Sequence, residues 1–558
     1  MKGFTRRDFL KLSGVGAASA AALALVGCSS KEAGNNDSET STQTSTQTST
    51  ETSETSEVSD TAGEIIAEEG TEFAMKDNVT IGVGYLFATL TPFRNTSGQR
   101  FPLVRYLYDR LAFLTDRGDY VPQGAKSWTC AEDGITWTVE LYDNITDSEG
   151  RPITAKDVKW FLDEGKARSS KPCYAKVQNV EVVDDYTVTI VMDKNLADAF
   201  EVVLESTFMI NQESFEASED EFNTRPVSSS PYVVTDFVTD VNLDFEHRDD
   251  FWQDEALEDR SLGHNIKELH LKYITEASQQ QVALETSAVD AIPGINATIV
   301  DAFKDNDQYL VTMAPANNGN QLRFTGDETR LVGRDENLRK AICYAIDVDM
   351  LIQGAANGYA EKMDDFIPRT SGGWFEAYKT MDYFHYDVDL AKDYLSKSDY
   401  NGEELVLAGQ SSQQRAYTII QANCQAIGIN VKLDIQDASL FTQISNDGRQ
   451  WDMAMMSTGN GAANVWTQTF DGDAYEYGDQ MGRHDEELTE MIHYTWQVAN
   501  YTEENITKIR NYIFEHAYAY GLYLAYTLSV AKANLNIAET VFNTQGQLDI
   551  AACKYAKA

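Results

Sequence analysis

Seven histidines, six cysteines and 88 Asp plus Glu residues are the side chains in this 558-residue chain that could carry acid–base, nucleophilic or metal chemistry. Their spacing argues against each. His264 and His270 are too poorly spaced for a helical metal pair, and His-Glu-x-x-His does not occur. There is no Gly-x-Ser-x-Gly elbow and no glycine-rich Lys loop to cradle a phosphate. With so many acids, carboxylate pairs at glycosidase spacing arise by chance and specify nothing. Cysteines 28, 130, 173, 343, 424 and 553 include no Cys-x-x-Cys and no metal-ligand spacing. The last five are therefore expected to pack as small apolar residues, with no metal, cofactor or disulfide framework. What remains is chemistry of holding: arginine forks for anions, and asparagine amides that donate and accept.

The elements that would position such groups belong to a folded, strongly acidic body. Lys plus Arg number 45 against 88 acids, a formal net charge of −43, which excludes the basic patches a nucleic-acid partner needs. A hydrophobic share of 42% with 11% aromatics supports a buried core, and a mean hydropathy of −0.40 leaves no room for several membrane spans. Length alone suggests three to four packing units.

The N-terminus reads as an address. Thr5-Arg6-Arg7-Asp8-Phe9-Leu10-Lys11 precedes an apolar, small-residue stretch over residues 12–26, ending in Leu25-Val26-Gly27-Cys28. Arg6 and Arg7 resemble the bacterial twin-arginine export signal, and the end resembles a lipobox in which Cys28 takes lipid and becomes the mature N-terminus. Residues 1–28 are thus a signal. Residues 29–75 are Ser-, Thr- and Glu-rich, with no Lys or Arg between Glu32 and Met75. Such a segment buries too little to offset chain entropy and is expected as a solvated tether, with folding from about Lys76. A glycosylated or wall-binding segment is the alternative.

Val79-Thr-Ile-Gly-Val alternates like an entering strand, and Thr154-Ala-Lys-Asp157 is a capping box opening a helix that buries Val158, Phe161 and Leu162. Later, Leu405-Val-Leu-Ala predicts a strand and residues 413–427 a helix burying Tyr417, Ile420, Cys424 and Ile427. Gly428 supplies the stop, residues 429–436 a second strand, 439–445 a short helix, and Trp451-Asp-Met-Ala-Met-Met456 a third strand. Two strand–helix–strand units imply a parallel sheet, with ligands beyond its carboxyl ends at residues 409–412, 437–439 and 457–460.

From about Val79 to the C-terminus the chain resembles the extracellular solute-binding proteins of ABC importers, in the oligopeptide, dipeptide and nickel-binding group (solute-binding protein family 5). The resemblance rests on segments in order: Tyr108-Asp-Arg-Leu-Ala-Phe-Leu, Asp133-Gly-Ile-Thr-Trp-Thr-Val-Glu-Leu141, Arg151-Pro-Ile-Thr-Ala-Lys-Asp-Val158, Arg248-Asp-Asp-Phe-Trp252, Asn337-Leu-Arg-Lys-Ala-Ile-Cys-Tyr-Ala-Ile-Asp347 and Ile427-Gly-Ile-Asn-Val-Lys-Leu433. It implies an α/β, two-lobed periplasmic-binding-protein-like fold (type II, cluster C) with an extra subdomain in lobe one. Lobe one would take residues 76–311 and 529–558, the subdomain about 108–193, and lobe two 312–528. The chain would cross between lobes near 314–323 and 524–529. Trp128 and Trp252 are expected to be structural.

On that pattern the cleft would draw on Tyr85, Phe87 and Arg94 after the first strand, Asn318, Asn320 and Arg323 beside the first crossing, and Trp374 in Ser371-Gly-Gly-Trp-Phe375. Beyond the third strand it would draw on Ser457, Thr458, Asn460, Asn464 and Trp466. Peptide-binding relatives commonly hold the ligand's ammonium with an Asp just after that strand; here no carboxylate comes before Asp471. A buried ammonium without a paired charge is costly, so the asparagines suit a neutral polar or anionic group. The resemblance implies a lipid-anchored receptor on the outer face of the cell membrane, capturing a small solute, an oligopeptide or dipeptide first, for an ABC permease complex. A nickel chelate, sugar or anionic metabolite, and a sensory receptor, are the alternatives. An extracellular hydrolase would need a nucleophile–base pair that the sequence does not display, and an adhesion protein would need repeats.

Overall fold

A computed structural model describes residues 63–557 except 86, 95–100, 116–118, 170, 195–198, 254–258, 370, 372, 459–468 and 472–480. The alternating run forms β1 (Lys76–Val83), with Val79, Ile81 and Val83 buried and Asp77 and Asn78 outside. Ordered contact begins before β1. The Ile65 N–H donates to Thr540 Oγ1 (2.9 Å), and the Ala74 N–H donates to the Tyr555 carbonyl (3.0 Å). The body therefore starts earlier than the composition suggests, because backbone pairing needs no apolar side chains.

Strands β2 (Ala112–Leu114) and β3 (Tyr120–Pro122) make a hairpin. Next to it β4 (Ala125–Cys130), β5 (Thr136–Leu141), β6 (Val177–Asp184) and β7 (Thr187–Met192) form a separate antiparallel sheet ordered β4-β5-β7-β6. Helix α1 (Ala155–Arg168) covers it through Val158, Phe161 and Leu162, opened by the Thr154–Asp157 capping box. Cys173, Cys343, Cys424 and Cys553 are buried as small apolar residues, whereas Cys130, at the end of edge strand β4, is part-exposed.

The main sheet has eleven described strands. Its first half is β8 (Tyr232–Val238), β9 (Asn242–His247), β10 (Ile266–Tyr273), β1 and β11 (Ala291–Pro293), with β1 parallel to both β10 and β11. β12 (Tyr309–Phe324) leads out of this half. The second half holds β13 (Ala360–Lys362), β14 (Glu404–Gln410), β15 (Asn430–Gln436) and β16 (Met453–Thr458). β14 lies parallel to both β15 and β16, as two crossover units require. Between β14 and β15, α2 (Gln414–Ala426) buries Tyr417, Ile420 and Cys424, and Gly428 at φ +97° ends it. The third strand starts two residues later than its apolar pattern. Asp452 there exchanges hydrogen bonds with the Val406 backbone, its carboxylate accepting from the Val406 N–H at 2.7 Å.

β17 (Ala519–Lys532) returns to join the halves. It pairs antiparallel with β12 from Tyr309↔Lys532 to Arg323↔Ala519, with register breaks between Pro315 and Gly319 and between Asn320 and Gln321. On the first side of the break β17 also bonds β11; on the second, β12 also bonds β16. Both faces of the second half are covered: Met453 and Met455 enter one core, Ala454 and Met456 the other. That explains an unbroken apolar strand. β18 (Ile537–Glu539) and β19 (Lys554–Tyr555) close the first half. Among the described residues no helix is long and apolar enough to cross a membrane.

Trp252 is buried, its indole N–H donating to Asp109 Oδ2 (2.8 Å) and the Ser229 carbonyl (3.1 Å). Nearby, His247 and His264 stack with ring centroids 4.9 Å apart and share an Nε2···Nδ1 hydrogen bond of 2.7 Å, against Tyr232 and Phe251. Burial lowers the pKa of both rings, His264 to about 4. The unfolded chain then binds the proton first, so this contribution to stability is whole above about pH 6.5 and is lost as pH falls towards 4. Urea unfolding should show the wild type losing stability relative to His264→Gln over that window; a pH-independent difference would refute the half-buried neutral pair.

Candidate functional site

Two groups of polar side chains flank the register break. The first caps the carboxyl ends of β14 and β16. The Gln410 N–H donates to Tyr417 Oη (2.9 Å), the Tyr417 hydroxyl to Gln413 Oε1 (3.2 Å), Gln413 Nε2 to Asn320 Oδ1 (3.2 Å), and Asn320 Nδ2 to the Tyr523 carbonyl (3.5 Å). Gly409 permits this: a Cβ there would lie 2.5 Å from the Tyr417 ring. Ser457, exposed at the end of β16, pairs across from Asn320, and Thr458 from Gly319. The wall is built of amides and hydroxyls, and it sits where open α/β sheets place ligands.

The second group lies at the carboxyl ends of β1 and β11. Tyr85 is half-buried; its hydroxyl donates to Gln547 Oε1 (3.3 Å), which also accepts from Asn543 Nδ2 (3.2 Å). Burial raises the Tyr85 pKa, so the phenol stays a donor. A narrow crevice runs beneath these residues over Ile81, Val83, Leu103 and Leu271. A neighbouring one is bordered by Arg105, Arg110 and Glu205, and both touch Asn543 and Asp549. The charges there are matched: Arg105 pairs with Asp549, which also accepts from the Tyr106 hydroxyl (3.1 Å), and Arg110 with Glu205 (3.1 Å).

The turn at residues 543–547 ties this wall to the break. The Gln545 carbonyl accepts from Thr527 Oγ1 of β17 (2.8 Å), and Gly546, at φ +71°, lies so close to β12 that a Cβ would sit 2.7 Å from the Pro315 carbonyl oxygen. On another part of the molecule Trp496 packs against the cores of both halves, with Lys194 Nζ 5.2 Å from its ring.

The other expected residues fall variously. Phe87 is wholly buried in the first core, a packing residue. Arg94 is exposed. Asn318 lies within the break of β12. Arg323 is interior, its Nε donating to Gln321 Oε1 (3.0 Å) and Nη1 reaching Met456 Sδ (3.4 Å); burial lowers its pKa to about 10, which leaves it a cation. Trp374 is half-buried against the third core, Lys379 Nζ 5.5 Å from its ring. Asn460, Asn464 and Trp466, and Arg6, Arg7 and Cys28, lie outside the described residues. Gln413, Asn543 and Gln547 went unnoticed in the sequence; the turn-rich Asn543-Thr-Gln-Gly-Gln547 was the available signal. Among the described residues no group of three or more His, Cys, Asp or Glu could hold a metal ion.

Comparison with known proteins adds independent findings. The family of bacterial extracellular solute-binding proteins, family 5 (middle region), matches residues 119–474. The glutathione-binding protein GsiB of Shigella flexneri is 24% identical over 387 residues, 66% of this chain and 70% of that protein. Among solved structures, the ABC transporter substrate-binding protein CtaP of Listeria monocytogenes superimposes with a TM-score of 0.73 at 19% identity, covering 87% of this chain and all of that one. NikA of Brucella suis, in complex with Fe(III)-EDTA, gives 0.74 at 19% identity, covering 86% of this chain and all of that one. These likenesses establish the two-lobed periplasmic-binding-protein fold.

Gly546→Ala should weaken folding by at least about 1 kcal/mol, since it combines a left-handed backbone with the approach to Pro315. Urea denaturation checks this; unchanged stability would show that the turn does not bear on β12.

Proposed function

The chain belongs to the bacterial extracellular solute-binding proteins of family 5, and on that premise we propose that it is a lipid-anchored receptor that captures an oligopeptide or dipeptide and delivers it to an ABC importer. As a member of that family it is a solute-binding protein of an importer, not an enzyme. The observation that carries the reading is the placing of two amide-rich walls on either side of one break in the β12–β17 pair. With lobe one as residues 76–311 and 529–558 (subdomain about 108–193) together with the bonded segment before residue 76, and lobe two as 312–528, rotation at the break would bring the walls together on the solute. The importer's ATPase supplies the energy, so no nucleotide site is needed here.

Peptide is favoured by the glutathione-binding relative and by walls that match backbone N–H and C=O groups. The end of β16 offers Ser457 and Thr458 where peptide-binding relatives carry an acid. Asn460, Asn464 and Trp466 follow it in the chain, and Arg94, Arg323 and Trp374 complete the proposed set. The chelate bound by NikA keeps a metal complex as the second reading. Export by Arg6-Arg7 and lipidation at Cys28 place the receptor on the outer face of the membrane.

Thermal unfolding with peptides of two to six residues, N-acetylated peptides, sugars and metal chelates tests the solute. A ligand at a hundred times its Kd stabilises by about 2.7 kcal/mol. Shifts that survive acetylation are expected; shifts confined to another solute class would refute the peptide reading. Gln413→Ala should weaken binding about tenfold, as loss of one hydrogen bond does, and unchanged affinity would remove the β14 wall from the site. Cys28→Ser should abolish fatty-acid labelling and release the protein from membranes; persistence of either would refute the anchor.

A further inference from the structure

We propose that Trp496 is a clasp that fastens the two halves to one another away from the β12–β17 pair, and that it sets how firmly the closed receptor retains a solute, whatever the chemistry of that solute. The inference goes beyond the receptor reading and rests on it only for what is retained. Among the described residues Trp496 is the one partly buried apolar side chain that packs against two of the cores, the first core and the third. An indole shared in this way presents a large apolar surface that returns to water when the two bodies part.

The second half presents the indole on a braced support. Helix α3 (Glu486–Thr495) is fixed there by Leu488 and Ile492, and its first turn is capped by Asp485, which accepts from the Leu488 N–H (3.0 Å) and the Tyr518 hydroxyl (2.7 Å). Just past the helix the Trp496 N–H donates to the His493 carbonyl (3.3 Å), and Asn500 Nδ2 staples the following loop to the Tyr494 carbonyl (3.1 Å). The His493 ring lies against the indole with centroids 4.0 Å apart, and its Nε2 is 3.1 Å from both oxygens of the buried Asp471 carboxylate. The indole is thus held in place by its own half and loses little further freedom on meeting the other.

The facing support belongs to the first half. Met192, the last residue of β7, is buried in the first core, and the Asp193 N–H after it donates to the Lys176 carbonyl (2.7 Å). Lys194 comes next, with its ammonium 5.2 Å from the indole centroid, within cation–π range. Neither Lys194 nor Trp496 lies on β12 or β17, and neither borders the crevices beside residues 543–549. Rotation at the break moves these two groups relative to one another while each half stays intact. Loss of the contact therefore disfavours the closed arrangement without touching the solute, and a smaller binding-competent population weakens every solute by the same factor.

The test reads the halves and the solute separately. Small-angle scattering of the full chain without ligand should give a larger radius of gyration for Trp496→Ala than for the wild type. Calorimetric titration with Ala-Ala-Ala and with glutathione should show both affinities falling by one common factor of about tenfold. Lys194 is exposed, so Lys194→Glu should fold as the wild type does; it keeps the indole, replaces attraction by repulsion, and should lower both affinities about threefold. Should Trp496→Ala fail to fold, Lys194→Glu carries the comparison. A radius of gyration that neither variant changes overturns the clasp, as does a loss of affinity for one peptide and not the other. Should neither peptide bind the wild type, the peptide reading fails and the scattering comparison decides the clasp by itself.

Discussion

The fold depends on the hydrogen-bonded ladder between β12 and β17. These strands belong to both halves of the main sheet, and each half is completed by them: β11 needs one end of β17, and β16 needs the far end of β12. Every backbone polar group buried along them must find a partner, so the halves cannot separate without breaking the paired segments on either side of the irregularity. Relief comes only where the ladder is already irregular. The breaks at residues 315–319 and 320–321 concentrate backbone freedom into a few positions, while the paired segments on either side stay rigid.

Burial of charge follows a second pattern in this acidic molecule: three arginines enter the interior each with a counter-ion. Arg105 goes in with Asp549, Arg110 with Glu205, and Arg510 with Asp365 beneath Tyr378, Tyr383 and Phe514. Burial pushes the Asp109 carboxyl up to about 7 despite the indole of Trp252 and three nearby arginines. Breaking one such pair leaves an uncompensated charge, which costs far more than a surface pair contributes. The surplus of acids is on the outside, where water screens it.

Much of the second half was legible because its signals are local. The residue 413–427 helix, its Gly428 stop and the flanking strands are written in periodicity and punctuation within 60 residues, and they form nearly as read. Strand β16 drifted by two residues because Asp452 bonds across to Val406, a long-range contact that no local pattern encodes. The site was read less well. Tyr85, Asn320 and Ser457 stand on the two walls, but Phe87, beyond the end of β1, fills a core. Gln413, Asn543 and Gln547 escaped because glutamine and asparagine carry no motif; only the fold brings residues 85 and 547 within hydrogen-bond reach.

The segment before β1 has a mechanical consequence. Ile65 is pinned to Thr540 and Ala74 to Tyr555, with Phe73 opposite Ala556 and Lys557 donating its N–H to Glu72. Residues 65–74 and 540–557 are thus fastened to the same half of the molecule, side by side, as a two-ply seam. A force applied at residue 63 would load that seam and peel it residue by residue, rather than pull the halves apart. The half built on β14 to β16 takes no part in that seam.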